Sequence, residues 1–190
     1  MTDQEHTNDI KLFGMWVYLM SDCVLFAGLF AVYAVLGSAS FGGPTARELF
    51  SLPYALVETL VLLTSSFTCG LAVVAARHGK KNRTLLALGA TLILGTLFVL
   101  MEVSEFSQLV ENGNSWHRSA FLSSFFTLVG THGLHVTLGL IWLLTLIITL
   151  LYRGVTPWTY GKLQLFSLFW HFLDIVWVCI FTFVYLFGVL

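Results

Sequence analysis

Eight ionisable side chains lie where a water-soluble reading of this sequence would not put them. Asp22, Glu58, Glu102, Glu105, His132, His135, His171 and Asp174 all fall inside, or at the end of, long apolar runs. Acidic and imidazole groups are costly in hydrocarbon, so each needs a hydrogen-bonding partner, a counter-charge or water. His132 and His135 are three apart, as are His171 and Asp174 and also Glu102 and Glu105. On a helix that spacing puts both members of a pair on one face, able to point toward neighbouring helices.

Three kinds of chemistry suit such residues. The plainest is structural, with imidazoles and carboxyls hydrogen-bonding between helices and fixing their register at about 1 kcal/mol per bond. The second is metal or haem ligation, since two histidines on different helices can hold an iron. Ferritin-like di-iron sites, however, use a Glu-x-x-His repeat on each of two helices. Here Glu102 is followed three residues later by Glu105, and the histidines lie elsewhere. The third is proton handling by Asp22 or Glu58. A stand-alone haem or metal oxidoreductase using His132, His135 and His171, and a proton-coupled carrier, are therefore the alternatives to a structural role. The sequence has no broken helix of the transporter kind, as its three prolines stand in loops or at span boundaries.

The elements that must position these groups follow from composition. Of 190 residues 57% are hydrophobic and only 10% charged, against roughly 25% charged in soluble domains. Apolar and polar residues do not alternate as in a transmembrane barrel. The expectation is an all-α integral membrane bundle of five transmembrane helices at about 13–36, 52–76, 84–105, 120–152 and 163–190. A polar tail at 1–12 precedes them, and the whole forms a single membrane domain. The acidic start and the length of the first run distinguish it from a cleaved signal peptide. Gly42, Gly43 and Pro44 mark a turn-rich loop after it. Cys23, Cys69 and Cys179 each lie in an apolar run without metal-site spacing and read as small core residues.

Basic residues collect in alternate loops. Lys11, the cluster Arg77, Lys80, Lys81 and Arg83, and Arg153 with Lys162 fall on one side, against Arg47 and Arg118 on the other. The positive-inside rule then predicts a cytoplasmic amino terminus and a periplasmic carboxyl terminus. The four-residue cluster is also a candidate contact for anionic lipid head groups. On this topology Asp22, His132, His135, His171 and Asp174 lie at mid-membrane or toward the cytoplasm, and Glu58 and Glu102 toward the outside. Small residues Ala87, Thr91 and Gly95, and Gly130 and Gly133, would let helices approach closely.

The longest specific pattern is Phe169-Trp170-His171-Phe172-Leu173-Asp174-Ile175-Val176-Trp177, which resembles the signature in the last helix of subunit III of haem-copper oxidases. Thr131-His132-Gly133-Leu134-His135-Val136 resembles the family's preceding helix, and Glu102-x-x-Glu105 stands before it in the same order. Tyr18-Leu19-Met20-Ser21-Asp22-Cys23 and Pro53 to Ser66 are similar to the family's five-helix quinol-oxidase branch. Asp22 stands there where other relatives carry a membrane-embedded glutamate. The resemblance covers Lys11 to the end. It implies a non-catalytic chain of a proton-pumping terminal ubiquinol oxidase of the aerobic respiratory chain, in a bacterial inner membrane. On that reading the chain has no cofactor of its own beyond bound phospholipid. Haems and copper belong to the catalytic subunit I, with subunits II and IV as further partners, and nucleic acid plays no part.

Overall fold

The computed structural model describes residues 3–36, 52–113, 117 and 119–189. The loop expected between the first two spans and residues Arg47 and Arg118 of the charge count lie outside them. Five helices are long and apolar enough to cross a membrane. They are α1 (Asp3–Leu36), α2 (Leu52–Arg77), α3 (Lys81–Glu111), α4 (Ala120–Arg153) and α5 (Pro157–Ile180). The α5 helix continues through a π-helical segment, Phe181–Leu186, into a last turn, Phe187–Val189.

Several ends differ from those expected of hydropathy alone, because capping chemistry rather than apolarity sets them. The α1 helix runs back to Asp3 through the stretch expected as a polar tail. The α3 helix starts at Lys81 and runs on to Glu111, where Asn112 caps it and Gly113 turns the chain at φ 76°. The α5 helix starts at Pro157, six residues before the apolar run begins. Thr156 accepts from the Thr159 amide at 3.2 Å, and Thr159 Oγ1 accepts from the Thr156 amide at 2.7 Å. This reciprocal cap, with proline at the first helical position, closes the helix start. Pro157 and Lys162 are therefore helical rather than part of a loop.

The packing is that of a bundle in which α2 lies against α3 and α5, α4 against α3 and α5, and α1 against α4 and α5. The interior is filled by aromatic and aliphatic side chains, with Phe98, Phe125, Phe166, Trp177 and Tyr185 all fully buried. Trp170 shows how small residues admit large ones. A Cβ at Gly139 would lie 2.9 Å from its six-membered ring, and one at Gly95 3.0 Å. Two glycines on two helices thus make the slot for one indole, the close approach that transmembrane packing rewards. Gly95 was expected in such a role; Gly139, equally needed, was not. Thr91 joins α3 to α2 by a 2.8 Å hydrogen bond with Thr68.

Candidate functional site

Seven of the eight intramembrane ionisable groups divide into three places, and His132 stands apart from them. On the α1–α4 contact, Asp22 Oδ2 stands 3.7 Å from His135 Nε2, with both side chains nearly buried. His135 Nδ1 lies 2.7 Å from the Thr131 carbonyl oxygen. A carbonyl only accepts, so Nδ1 carries the ring proton, and Nε2 faces Asp22 beyond hydrogen-bond distance. Phe26, one turn on from Asp22, covers the pair, its ring centroid 5.3 Å from that of His135.

His132 is three residues from His135 but does a different job. It is fully buried among rings, with centroids 5.2 Å from Trp177 and 6.0 Å from Phe98, the latter edge-on at 88°. Neither of its nitrogens has a hydrogen-bond partner among the described residues. It packs as an aromatic plate.

The second place is the acidic group between α2, α3 and the end of α5. Glu58 is 0% and Glu102 3% exposed, and each lies near enough to the other and to Glu105 to feel its charge. Glu105 Oε2 accepts a 2.8 Å hydrogen bond from the Tyr185 hydroxyl. Tyr185 lies within the π-helical segment, where the wider i→i+5 turn shifts the following side chains around the helix axis. The Glu102 carboxyl rests on the backbone of Gly133, where a Cβ would be 2.6 Å from Oε2. Both oxygens of Glu58, and Oε1 of Glu102, lack a hydrogen-bond partner among the described residues.

The third place, on α5, departs from the expectation of an inward-facing pair. Asp174 is half-buried, with Oδ1 enclosed and without a partner among the described residues, whereas His171 is exposed on the outside of the bundle. His171 Nδ1 lies 2.7 Å from the Ser167 carbonyl oxygen. Three histidines that a haem or metal centre would need to gather are thus spread over a ring-packed core position, an α1–α4 pair and an outer face. Among the described residues, no three His, Cys, Asp or Glu side chains are grouped to hold a metal ion.

Two further polar ties between helices involve side chains that were not among the candidate polar residues of the sequence. Trp170 Nε1 donates to Ser65 Oγ at 3.0 Å, and Trp177 Nε1 to Thr59 Oγ1 at 3.1 Å. The signal was present: two tryptophans seven apart on α5 face two hydroxyls six apart on α2, and a buried indole N–H needs an acceptor.

One end of the bundle gathers the basic residues. Lys81 Nζ donates to the Leu151 carbonyl at 2.9 Å, tying the start of α3 to the end of α4. Arg153 and Lys162 lie over the Trp158 ring at 5.2 and 3.9 Å. Lys11 and Lys162 line a groove of about 270 Å³.

Against this geometry stand the relatives. The family described as "Cytochrome c oxidase subunit III" matches residues 3–189. The chain is 52% identical to cytochrome bo(3) ubiquinol oxidase subunit 3 of Pseudomonas aeruginosa, over 99% of this chain and 91% of that one. It is 44% identical to quinol oxidase subunit 3 of Bacillus subtilis, over 99% and 92%. It is 45% identical to cytochrome c oxidase subunit 3 of Bacillus sp. PS3, over 94% and 86%. Five spans and bacterial relatives matched along nearly their whole length describe a multi-pass protein of a bacterial inner membrane. The chain belongs to the subunit III family of haem-copper oxidases.

Proposed function

We propose that this chain is the non-catalytic third subunit of a proton-pumping, cytochrome bo-type ubiquinol oxidase in an aerobic respiratory chain. On this reading it assembles with catalytic subunit I, which carries the haems and copper, and with subunits II and IV. The observation that carries the proposal is the near full-length similarity to subunits so named, at 52% identity for the Pseudomonas ubiquinol oxidase chain. The disposition of the polar groups supports it, since they lie at separate places in the bundle, among them an α1–α4 pair and the Glu105–Tyr185 tie between α3 and the end of α5. Asp22, Glu58, Glu102, Glu105, His132, His135, His171 and Asp174 then act as structural or proton-holding groups within the buttress.

The amino terminus is cytoplasmic and the carboxyl terminus periplasmic. Supporting this, Lys11, Lys81, Arg153 and Lys162 belong to one end of the bundle, the end that the positive-inside rule turns toward the cytoplasm. Trp158 between two cations fits an interfacial position. The Lys11–Lys162 groove and the cluster Arg77, Lys80, Lys81 and Arg83 suit phospholipid phosphates.

The test is purification in mild detergent through an amino-terminal tag, with identification of co-purifying chains, a visible spectrum and an oxidase assay. A large haem- and copper-bearing subunit in the preparation, with oxygen uptake driven by ubiquinol and not by reduced cytochrome c, is the expected outcome. A lone chain that keeps its own chromophore after separation overturns the proposal. Uptake driven by cytochrome c corrects the donor alone.

A further inference from the structure

His171 occupies the costliest place a polar side chain can have in this protein. It lies halfway along the 30-residue span Pro157–Leu186, so each end of the span is roughly 21 Å away along the helix at 1.5 Å per residue. At that depth ionisable side chains face a bundle interior or a water-filled cavity. His171 is instead exposed on the outer surface of this chain. It borders a groove of about 250 Å³ between α1 and α5, whose other walls include Trp16, Leu19 and Met20 of α1 and Phe172 and Ile175 of α5.

The hydrogen bonding of the ring specifies what is missing. Nδ1 donates to the Ser167 carbonyl at 2.7 Å, so in the neutral imidazole Nε2 is the acceptor. Nε2 lies 3.9 Å from where a Cβ on Gly70 of α2 would stand, and a glycine brings no side-chain donor to it. Asp174, one turn on and half-buried, also has its Oδ1 without a partner among the described residues. Both are acceptors. An acyl chain brings no donor to the membrane centre, so lipid leaves His171 unsatisfied.

We infer that the α1–α5 groove is the docking face for a transmembrane helix of the catalytic subunit, which inserts a hydrogen-bond donor at mid-membrane to meet His171 Nε2. The groove's apolar walls and volume suit a large side chain with an O–H or N–H, a tyrosine or tryptophan before a serine. This rests on the proposed place of the chain in an oxidase complex, and it adds the face and the chemistry of the contact.

The test uses the assembled complex. A photoreactive benzoyl-phenylalanine is placed at Met20 or Ile175, which are exposed at the groove, and for comparison at Leu86 or Ile93, which are exposed on α3. The expected result is a crosslink to the large haem-bearing subunit from the groove positions and none from α3. In parallel, His171→Phe should lower retention of this chain in the detergent-purified complex at least 5-fold, while His171→Gln, which keeps an acceptor, retains it. Crosslinks from the groove to lipid only, or to a second copy of this chain, overturn the inference. So does equal retention of His171→Phe and the native chain. If no large haem-bearing subunit co-purifies even with the native chain, the oxidase-subunit reading fails first, an outcome distinct from a complex whose crosslinks map elsewhere.

Discussion

The α2–α5 seam and the acidic group at the far end of the same helices lie within a few turns of each other and treat buried polarity in opposite ways. Along the seam both indole donors meet an acceptor: Trp170 on Ser65 and Trp177 on Thr59. In the acidic group the Tyr185 hydroxyl donates to Glu105 alone, and among the described residues both oxygens of Glu58 and Oε1 of Glu102 lack a partner. Satisfied pairs fix register at little cost. Surplus acceptors in a low-dielectric interior raise the energy of the native state. The seam holds the bundle together, and the acidic group is a place where it is held under load, so substitutions in the two should separate by mechanism.

The largest effect is expected from Trp170→Ala. It empties the slot between Gly95 and Gly139, at a cost of about 3–5 kcal/mol for a buried tryptophan. It should abolish recovery of the folded chain, as measured by yield of intact complex in detergent. Gly133→Ala comes next, because its Cβ would stand 2.6 Å from Glu102 Oε2 in a carboxyl with almost no exposed surface. The carboxyl would have to shift within an almost fully enclosed site. The control is Gly130→Ala, whose Cβ meets Phe106 at an ordinary 3.7 Å. A fall of several degrees in melting temperature for the first and less than one for the second is expected. Equal falls would show that the Glu102–Gly133 contact is not tight.

Glu58 then tests whether shape or charge dominates in the acidic group. Glu58→Ala leaves a cavity beneath Glu102 and Glu105 and should lower assembly more than turnover per assembled complex, by about 2–3 kcal/mol in stability. Glu58→Gln keeps the shape, removes the ionisable group and puts amide donors where buried carboxyl oxygens lack partners. It should be neutral or raise the melting temperature. Normal yield of Glu58→Ala with abolished turnover would move Glu58 from structure to chemistry.

How much of this was legible beforehand depends on what kind of signal each residue carried. The five spans stood out because hydrocarbon solvent demands long apolar helices. Asp22, Glu58, Glu102 and His132 stood out because charge and imidazole are rare there. The start of α5 did not, since the Thr156–Thr159 cap lies in a stretch too polar for a hydropathy reading. Gly139 looked no different from the other glycines until Trp170 was seen against it. His171 was misjudged for a related reason. Helical spacing places it on the face of Asp174, but one turn of separation spans the boundary between the packed and outer sides of α5. Periodicity gives a face and not the width of the neighbour that covers it.

The smallest expected effect sharpens the comparison most, because it deletes a single bond on the satisfied side. Thr59→Val keeps the shape of the side chain but removes the acceptor of Trp177 Nε1, and leaves a buried indole donor unpaired at about 1–2 kcal/mol. Trp177→Phe on its own also leaves Thr59 with its 2.8 Å bond to the Ala55 carbonyl, so the hydroxyl is not orphaned. The double variant should then be less destabilised than the sum of the two single ones, with a coupling of about 1 kcal/mol in melting experiments on the detergent-solubilised complex. The same cycle on Glu105 and Tyr185 should give a larger coupling. Removing the tyrosine hydroxyl takes away a donor that the acidic group cannot replace, and removing Glu105 relieves part of the load. Equal couplings in the two cycles would mean that the surplus of acceptors costs nothing and that the two regions differ in composition but not in mechanics.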